Sequence, residues 1–397
     1  MHMHVRSFVI LINYISNYIT PDVPFNYLLI NTKPEALKNK IVQCFFLFVV
    51  LQTFVDNAFC QDVSNLTLND FHPVSIYKIP VTKIEKAKYP IIDFHSHDYA
   101  KSDLAVDEWV KTMDDVGIAK TMILSYSTGA RFDSLVAKYA RHKDRFTVWC
   151  GFDYTGVDQP GWEQRAVAEL ERCYKKGARG VGELGDKGLG ELYSKPTPGT
   201  GVHIDDPRMK ALIKKCGELH MPISIHVAED AWMYQPADST NDGLMNAAKW
   251  HVDLSIKGKL DHDQLIATLE HAVKENSATT FIACHLANSC SNLDVLGKLF
   301  DKYPNLYADI SARYGEIAPI PRFVHAFLEK YAGRIVYGTD MGPTKKMYTT
   351  TFRILETADE HFYERELFNY HWPLYGFSLT DVTLKKIYSE NGKKILK

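Results

Sequence analysis

The sequence predicts an α/β protein of the (β/α)8 barrel class, with an excursion after the fifth strand. Three observations carry this reading. From Tyr89 onward, short apolar or β-branched runs alternate with longer amphipathic segments. The strand-like runs number eight, and eight βαβ units with right-handed crossovers close naturally into a barrel. No glycine-rich phosphate fingerprint follows the first run, which argues against a doubly wound open sheet.

The strand runs fall at 89–95, 120–126, 146–152, 178–184, 222–227, 280–286, 305–310 and 334–339. Near-continuous apolar runs such as TMILSY suit strands buried on both faces. Helical patterns occupy 104–116, 131–141, 162–176, 206–219, 260–276, 291–303 and 319–332. Over 162–176, Ala166, Val167, Leu170, Cys173 and Tyr174 share one face, and Gly177 ends the run. Over 206–219, Pro207 sits near the start, and Met209, Leu212, Ile213 and Cys216 form the stripe. Residues 229–259 exceed an ordinary βα loop of about 2–6 residues. With Trp232, Tyr234, Trp250 and His251, they read as an excursion over the barrel mouth. Residues 344–397 supply the last helix and a C-terminal helix at 380–396.

The 397 residues carry 46 Lys+Arg against 48 Asp+Glu, a net charge of −2. That balance provides no basic stripe for nucleic acid and no charge excess of the disordered kind. Seven cysteines are too few for a disulfide scaffold. The first sixty residues differ from the rest. Lys33, Lys38 and Lys40 precede the apolar run 41–55, and Ala58-Phe59-Cys60 follows it. A basic, then apolar, then small-residue order describes a secretory signal. The run is shorter than the about 18–20 residues of a membrane span.

The expected division is therefore a leader at 1–60, an extended arm at 61–88 and a barrel at 89–397. Because the run starts far from Met1, translation is expected to begin downstream, near the lysines. The mature chain would then be exported, periplasmic or secreted, with its N-terminus near Gln61; without that signal it is cytoplasmic. N-terminal sequencing of the exported protein checks this, and an intact Met1 in a soluble cytosolic form contradicts it. Five cysteines remain after Gln61, an odd number, and free buried thiols are expected.

In such a barrel, chemistry gathers at the C-terminal ends of the strands. Strand 1 ends in DFHSH, and residues two apart share a face, so His95 and His97 can converge on one ion. Strand 4 ends at Glu183, strand 5 at His226, strand 6 at His285 and strand 8 at Asp340. Nitrogen and carboxylate donors of this kind suit zinc, manganese or a similar divalent ion. One histidine at a strand end reads as a satisfied core residue; histidines ending three strands beside a carboxylate do not.

His142, His220, His262 and His325 lie on helices or loops and read as solvated. Arg313, after strand 7, either pairs with a substrate carboxylate or forms an ion pair with Glu316 or Asp309. Trp232 and Tyr234 either floor the pocket or pack the excursion. Asp186 and Lys187 read as substrate contacts or a surface pair, and Asp93 as a cap.

Taken in order, IIDFHSH, His226, His285, GTD at strand 8 and the closing YSENGKKIL resemble the amidohydrolase superfamily of metal-dependent barrels. Within it they resemble the amidohydrolase-related branch, which includes aminocarboxymuconate-semialdehyde decarboxylases and several lactonases. The resemblance spans residues 74–397. It implies His95, His97, His226 and Asp340 as metal ligands. His285 becomes an acid/base group beside one ion or a ligand of a second. Glu183 stands where two-metal relatives often carry a carboxylated lysine, and could bridge two ions or ligate one. The branch favours one ion, zinc first.

The implied reaction is hydrolysis of an amide, lactone or ester of a small molecule by metal-activated water. Asp340 accepts the proton, and Asp340 or His285 returns it to the leaving group. Two alternatives stand beside it: non-oxidative decarboxylation of an unsaturated or aromatic acid, and a non-catalytic binding barrel. The expected partner is a small-molecule substrate, with neither nucleic acid nor a stable membrane span. A homodimer is left open.

Overall fold

Eight parallel strands arise where the eight apolar runs stand. They are β1 Ile91–Ser96, β2 Ile118–Ser127, β3 Phe146–Cys150, β4 Val181–Asp186, β5 Ile223–Val227, β6 Phe281–Ala283, β7 Leu306–Asp309 and β8 Ile335–Val336. They pair in sequence order, β1 to β8. The ring closes through backbone hydrogen bonds from Phe94 N to Tyr337 O at 2.9 Å and from Asp340 N to His95 O at 2.8 Å. The molecule is therefore a (β/α)8 barrel. The computed structural model describes residues 63–247 and 251–397. The leader run 41–55, Cys60 and Trp250 lie outside the described residues. Residues 68–397 form one unit; of the unit 1–67, the described part holds a short 3-10 turn, Val63–Asn65.

The strands alternate with α1 Asp103–Val116, α2 Gly129–Tyr139, α3 Trp162–Lys175, α4 Lys210–Glu218, α5 His262–Glu275, α6 Leu293–Lys302, α7 Pro321–Lys330 and α8 Lys345–Glu356. Each starts within four residues of its expected position, because caps and stripe are local properties. Ser102 caps α1 by accepting from Ala105 N, and Asp261 with Gln264 forms a capping box on α5. Ala166, Leu170 and Cys173 of α3 are buried, as are Leu212, Ile213 and Cys216 of α4. The C-terminal helix runs 381–395. All five described cysteines are free and buried. Among the described residues, no helix is long and apolar enough to cross a membrane.

Alternation along the strands separates two apolar groups. Ile91, Ile123, Cys150, Ile225, Ala283 and Ala308 join the layer between strands and helices. Ile92, Phe94, Met122, Leu124, Trp149, Ile282, Tyr307 and Val336 form a second cluster that fills the barrel beneath the strand ends. Gly180 makes room for this filling, since a Cβ there would lie 2.3–2.5 Å from the fully buried Trp149 ring. Gly180→Ala is expected to destabilise the barrel by about 1–3 kcal/mol through overpacking. A lower denaturant midpoint at unchanged m-value checks this.

After the short 3-10 turns Val63–Asn65 and Leu68–Asp70, the arm bonds to the end of α8 and the residues that follow it. Thr82 N donates to Asp359 Oδ2 at 2.9 Å, and Lys88 N to Glu356 Oε1 at 3.0 Å. The excursion after β5 contains a 3-10 turn, Ala231–Tyr234, and a short helix, Leu244–Ala247.

Candidate metal centre

The strand ends bring the expected donors together. His95 Nε2 lies 3.8 Å from Glu183 Oε2 and 3.7 Å from Asp340 Oδ1. His97 Nε2 lies 3.4 Å and 3.0 Å from the same two oxygens. A zinc ion bonded at about 2.0–2.2 Å needs tetrahedral edges of about 3.3–3.6 Å, so these spacings bracket what an ion requires. On the other side of Glu183, its Oε1 lies 3.0 Å from His226 Nδ1 and 3.3 Å from His285 Nε2. Asp340 Oδ2 reaches to 3.8 Å from His285 Nε2. The donors thus form three overlapping groups, His95 with His97 and Glu183, His226 with His285 and Glu183, and His95 with His285 and Asp340; Glu183 Oε2 lies toward the first and Oε1 toward the second.

The resemblance implies His226 as a ligand beside His95, His97 and Asp340; in the structure its Nδ1 meets Glu183 Oε1 at 3.0 Å, next to His285. The reason is strand order, which puts β4 next to β5, and β5 next to β6, so His226 meets Glu183 first.

Each ring is held by its outer nitrogen. His95 Nδ1 faces Asp309 Oδ2 at 2.9 Å, His97 Nδ1 faces Leu124 O at 2.8 Å, and His285 Nδ1 faces Ser311 O at 2.9 Å. Donating Nδ1–H in this way leaves the Nε2 lone pair for the centre, the usual support of a ligating histidine. His226 is turned the other way, with Nδ1 inward and Nε2 3.6 Å from Glu229 Oε2. Buried His95 Nε2 and His226 Nε2 have no hydrogen-bond partner.

The backbone is bent to present these groups. His285, Leu286, Ala287 and Asn288 all have φ between 48° and 59°, and Asp340 has φ 52°. Such left-handed residues cost about 1–3 kcal/mol each unless the surroundings hold them. Asn288 holds its turn by donating Nδ2 to Val227 O at 2.9 Å and Ala228 O at 3.2 Å. This turn is also why β6 ends at Ala283 rather than at 286.

The electrostatics call for a cation. Asp309 is fully buried and Glu183 nearly so. Among the described residues no Lys or Arg pairs with Glu183, Asp309 or Asp340. Burial opposes the charged ring of His97, yet its bonds to Asp340 and Glu183 hold its pKa up at about 10. Burial likewise opposes His226, and Glu183 and Glu229 raise it to about 9. Burial dominates at His285, which stays below the ordinary histidine value. Glu183 is driven well below the carboxylate range despite its burial, through hydrogen bonds to His226, His285 and His95. Buried His95 Nε2, without a hydrogen-bond partner, stands 3.8 Å from Glu183 Oε2 and 3.7 Å from Asp340 Oδ1, and buried charge is costly without a counter-charge. The donor set therefore fits a divalent ion.

Two further buried carboxylates support the centre. Asp309 accepts from His285 N at 2.9 Å and Ser311 N at 3.0 Å as well as holding His95. Asp93 ties β1 to β8, accepting from His95 N at 3.1 Å and from Thr339 Oγ1 at 2.8 Å. Burial lifts its carboxyl to about 7.

Four sequence readings need correction. Asp309 pairs with His95, not Arg313. Arg313 is buried, and its Nε lies 3.2 Å from both Asp230 Oδ2 and Glu316 Oε2, so its charge is matched within the fold. Trp232 packs on Gly243 inside the excursion and does not line the pocket that opens on His97 and Glu183. Asp186 and Lys187 are not a pair: Asp186 is buried and accepts from Gly188 N at 3.0 Å, while Lys187 pairs with Glu229. Three of the histidines read as solvated are partly buried: His142 Nε2 faces Asp107 Oδ1 at 2.6 Å, His262 Nε2 faces Asn288 O at 2.9 Å, and His325 Nδ1 faces Phe377 O at 2.8 Å.

Imidazole and carboxylate donors at the strand ends of a (β/α)8 barrel define the class of metal-site barrel enzymes. The chain belongs to the amidohydrolase family, whose model it matches over residues 88–397. It is an enzyme of the amidohydrolase superfamily. No curated protein matches it. Among solved structures, 2,6-dihydroxybenzoate decarboxylase from Rhizobium is 15% identical, covering 78% of this chain and 98% of its own, at a TM-score of 0.48. 5-Carboxyvanillate decarboxylase from Novosphingobium aromaticivorans is 13% identical, covering 80% and 99%, at 0.46. 4-Oxalomesaconate hydratase from Rhodopseudomonas palustris is 15% identical, covering 77% and 95%, at 0.43.

Proposed function

We propose that this protein is a metal-dependent hydrolase that cleaves an amide, lactone or ester bond of a small molecule. The observation that carries the reading is Asp340. Its carboxylate touches both donor groups, and its side chain is 23% exposed while Glu183 is 7% and His285 2%. It is the carboxylate of the centre that a water and a substrate can reach. A divalent ion bound here supplies a Lewis acid and lowers the pKa of water from 15.7 towards about 7.

The chain's own residues do the rest. His95 and His97 would hold one ion and His226 with His285 a second, with Glu183 available to both; zinc would suit this nitrogen and oxygen set. Asp340 accepts the proton of the attacking water and returns it to the leaving group. Tyr99 Oη, 3.4 Å from Asp340 Oδ1, steadies that carboxylate. Arg313 is matched by Asp230 and Glu316, so it does not serve as the carboxylate clamp that decarboxylation would want. Export after removal of 1–60 is proposed alongside.

A panel of lactones, amides, esters and aromatic acids, assayed with zinc-loaded and zinc-stripped protein, tests the reaction. Zinc-dependent release of an acid product is expected. Release of CO₂ in its place, or turnover indifferent to zinc, overturns the reading; failure to bind any divalent ion favours a non-catalytic barrel.

A further inference from the structure

We propose that Lys195, with Tyr126 and Tyr193, forms a subsite for an anionic group of the carboxylate class on a small planar substrate. The inference rests on the metal centre being the reaction site, and names what binds beside it. A pocket of about 290 Å³ runs from His97 and Glu183 to Tyr126, Tyr193 and Lys195. That volume lies at the small end of ligand pockets, roughly 300–1,000 Å³, and suits a molecule of about one ring. Its wall is aromatic: the Tyr126 ring lies 6.0 Å from the His97 ring and 6.3 Å from the Tyr193 ring.

Lys195 is mounted rigidly although it lies in the long connection after β4. Its N donates to Tyr126 O at 2.8 Å, and its O accepts from Thr128 N at 2.9 Å. A preformed backbone keeps the ordering cost of binding low. The ammonium sits 4.5 Å from the Tyr126 ring centroid and donates to Tyr126 Oη at 3.0 Å. An ammonium has three donors, and among the described residues no carboxylate forms an ion pair with this one. Lys187 and Arg313, the other cations near the mouth, are both matched by carboxylates. Lys195 is therefore the charge left for a ligand. Its place also sets orientation: His97 and Glu183 line the same pocket as Lys195, so an anionic group held at Lys195 leaves the substrate's other end to face the metal centre.

The test uses benzoate and benzamide, which share a shape and differ in charge, titrated calorimetrically into the zinc-loaded protein. Wild type is expected to bind benzoate about tenfold or more tightly than benzamide. Lys195→Met should remove that preference and leave benzamide binding unchanged, and Lys195→Arg should keep most of it. The proposal is overturned if wild type does not bind benzoate, if Lys195→Met binds it as wild type does, or if the variant loses both ligands equally. The zinc-stripped protein separates the two claims. Benzoate affinity lost with zinc but indifferent to Lys195→Met overturns the subsite and spares the metal centre. Charge preference that depends on Lys195 in a protein binding no zinc does the reverse.

Discussion

Asp340→Asn is expected to lower kcat by about 100- to 10,000-fold, the range that a positioned acid/base group contributes, while the barrel stays folded. Asn matches Asp in shape and can still meet His97 Nε2, which lies 3.0 Å from Asp340 Oδ1 in the wild type. An amide oxygen cannot hold the proton of the attacking water at neutral pH, so the step that needs a base is lost. The residue is not part of the packed interior, so thermal unfolding should move little. Turnover measured at saturating zinc separates the lost base from a weakened ligand. Near-normal kcat in this variant contradicts the assignment.

The second large effect concerns stoichiometry. Glu183→Ala is expected to reduce bound zinc from two ions per chain to none, because both donor groups lose a carboxylate oxygen buried between them. His97→Ala should remove only the ion beside His95, and His226→Ala only the ion beside His285. Elemental analysis after gel filtration reads these counts directly, with circular dichroism confirming that each variant is folded. The ion-free variants should also melt at lower temperature than zinc-loaded wild type, since ligand bound to the native state stabilises it by mass action. A Glu183→Ala protein that keeps both ions contradicts the bridging role.

The donors were readable in the sequence because each ends a strong apolar run, and barrel strands deliver their last residues to one rim. His95, His97, Glu183, His226, His285 and Asp340 all stand where that rule puts them. Their grouping was not readable. Alternation tells which face a residue takes, not which carboxylate lies between two imidazoles. Asp309 is 214 residues from His95, yet the two are in contact; no local pattern encodes such a pairing. The short β6 and β8 have a related cause. The chain leaves the ladder at His285 through a left-handed turn built from ordinary residues, and glycine, the usual marker of such turns, is absent from it. Lys195 lies in SKPTPGTG, a stretch whose proline and glycine read only as a connection. The excursion was recognised by its length, and of the two readings open to Trp232, packing within the excursion is the one its contact with Gly243 bears out.

The central claim is that divalent ions occupy two donor groups sharing Glu183. Diffraction from zinc-loaded crystals, recorded on both sides of the zinc absorption edge, tests it most directly. The account predicts two anomalous peaks, one against His95 and His97 and one against His226 and His285, with the Glu183 carboxylate between them. An anomalous map with no peak at either group, or with zinc bound only elsewhere on the chain, would contradict it.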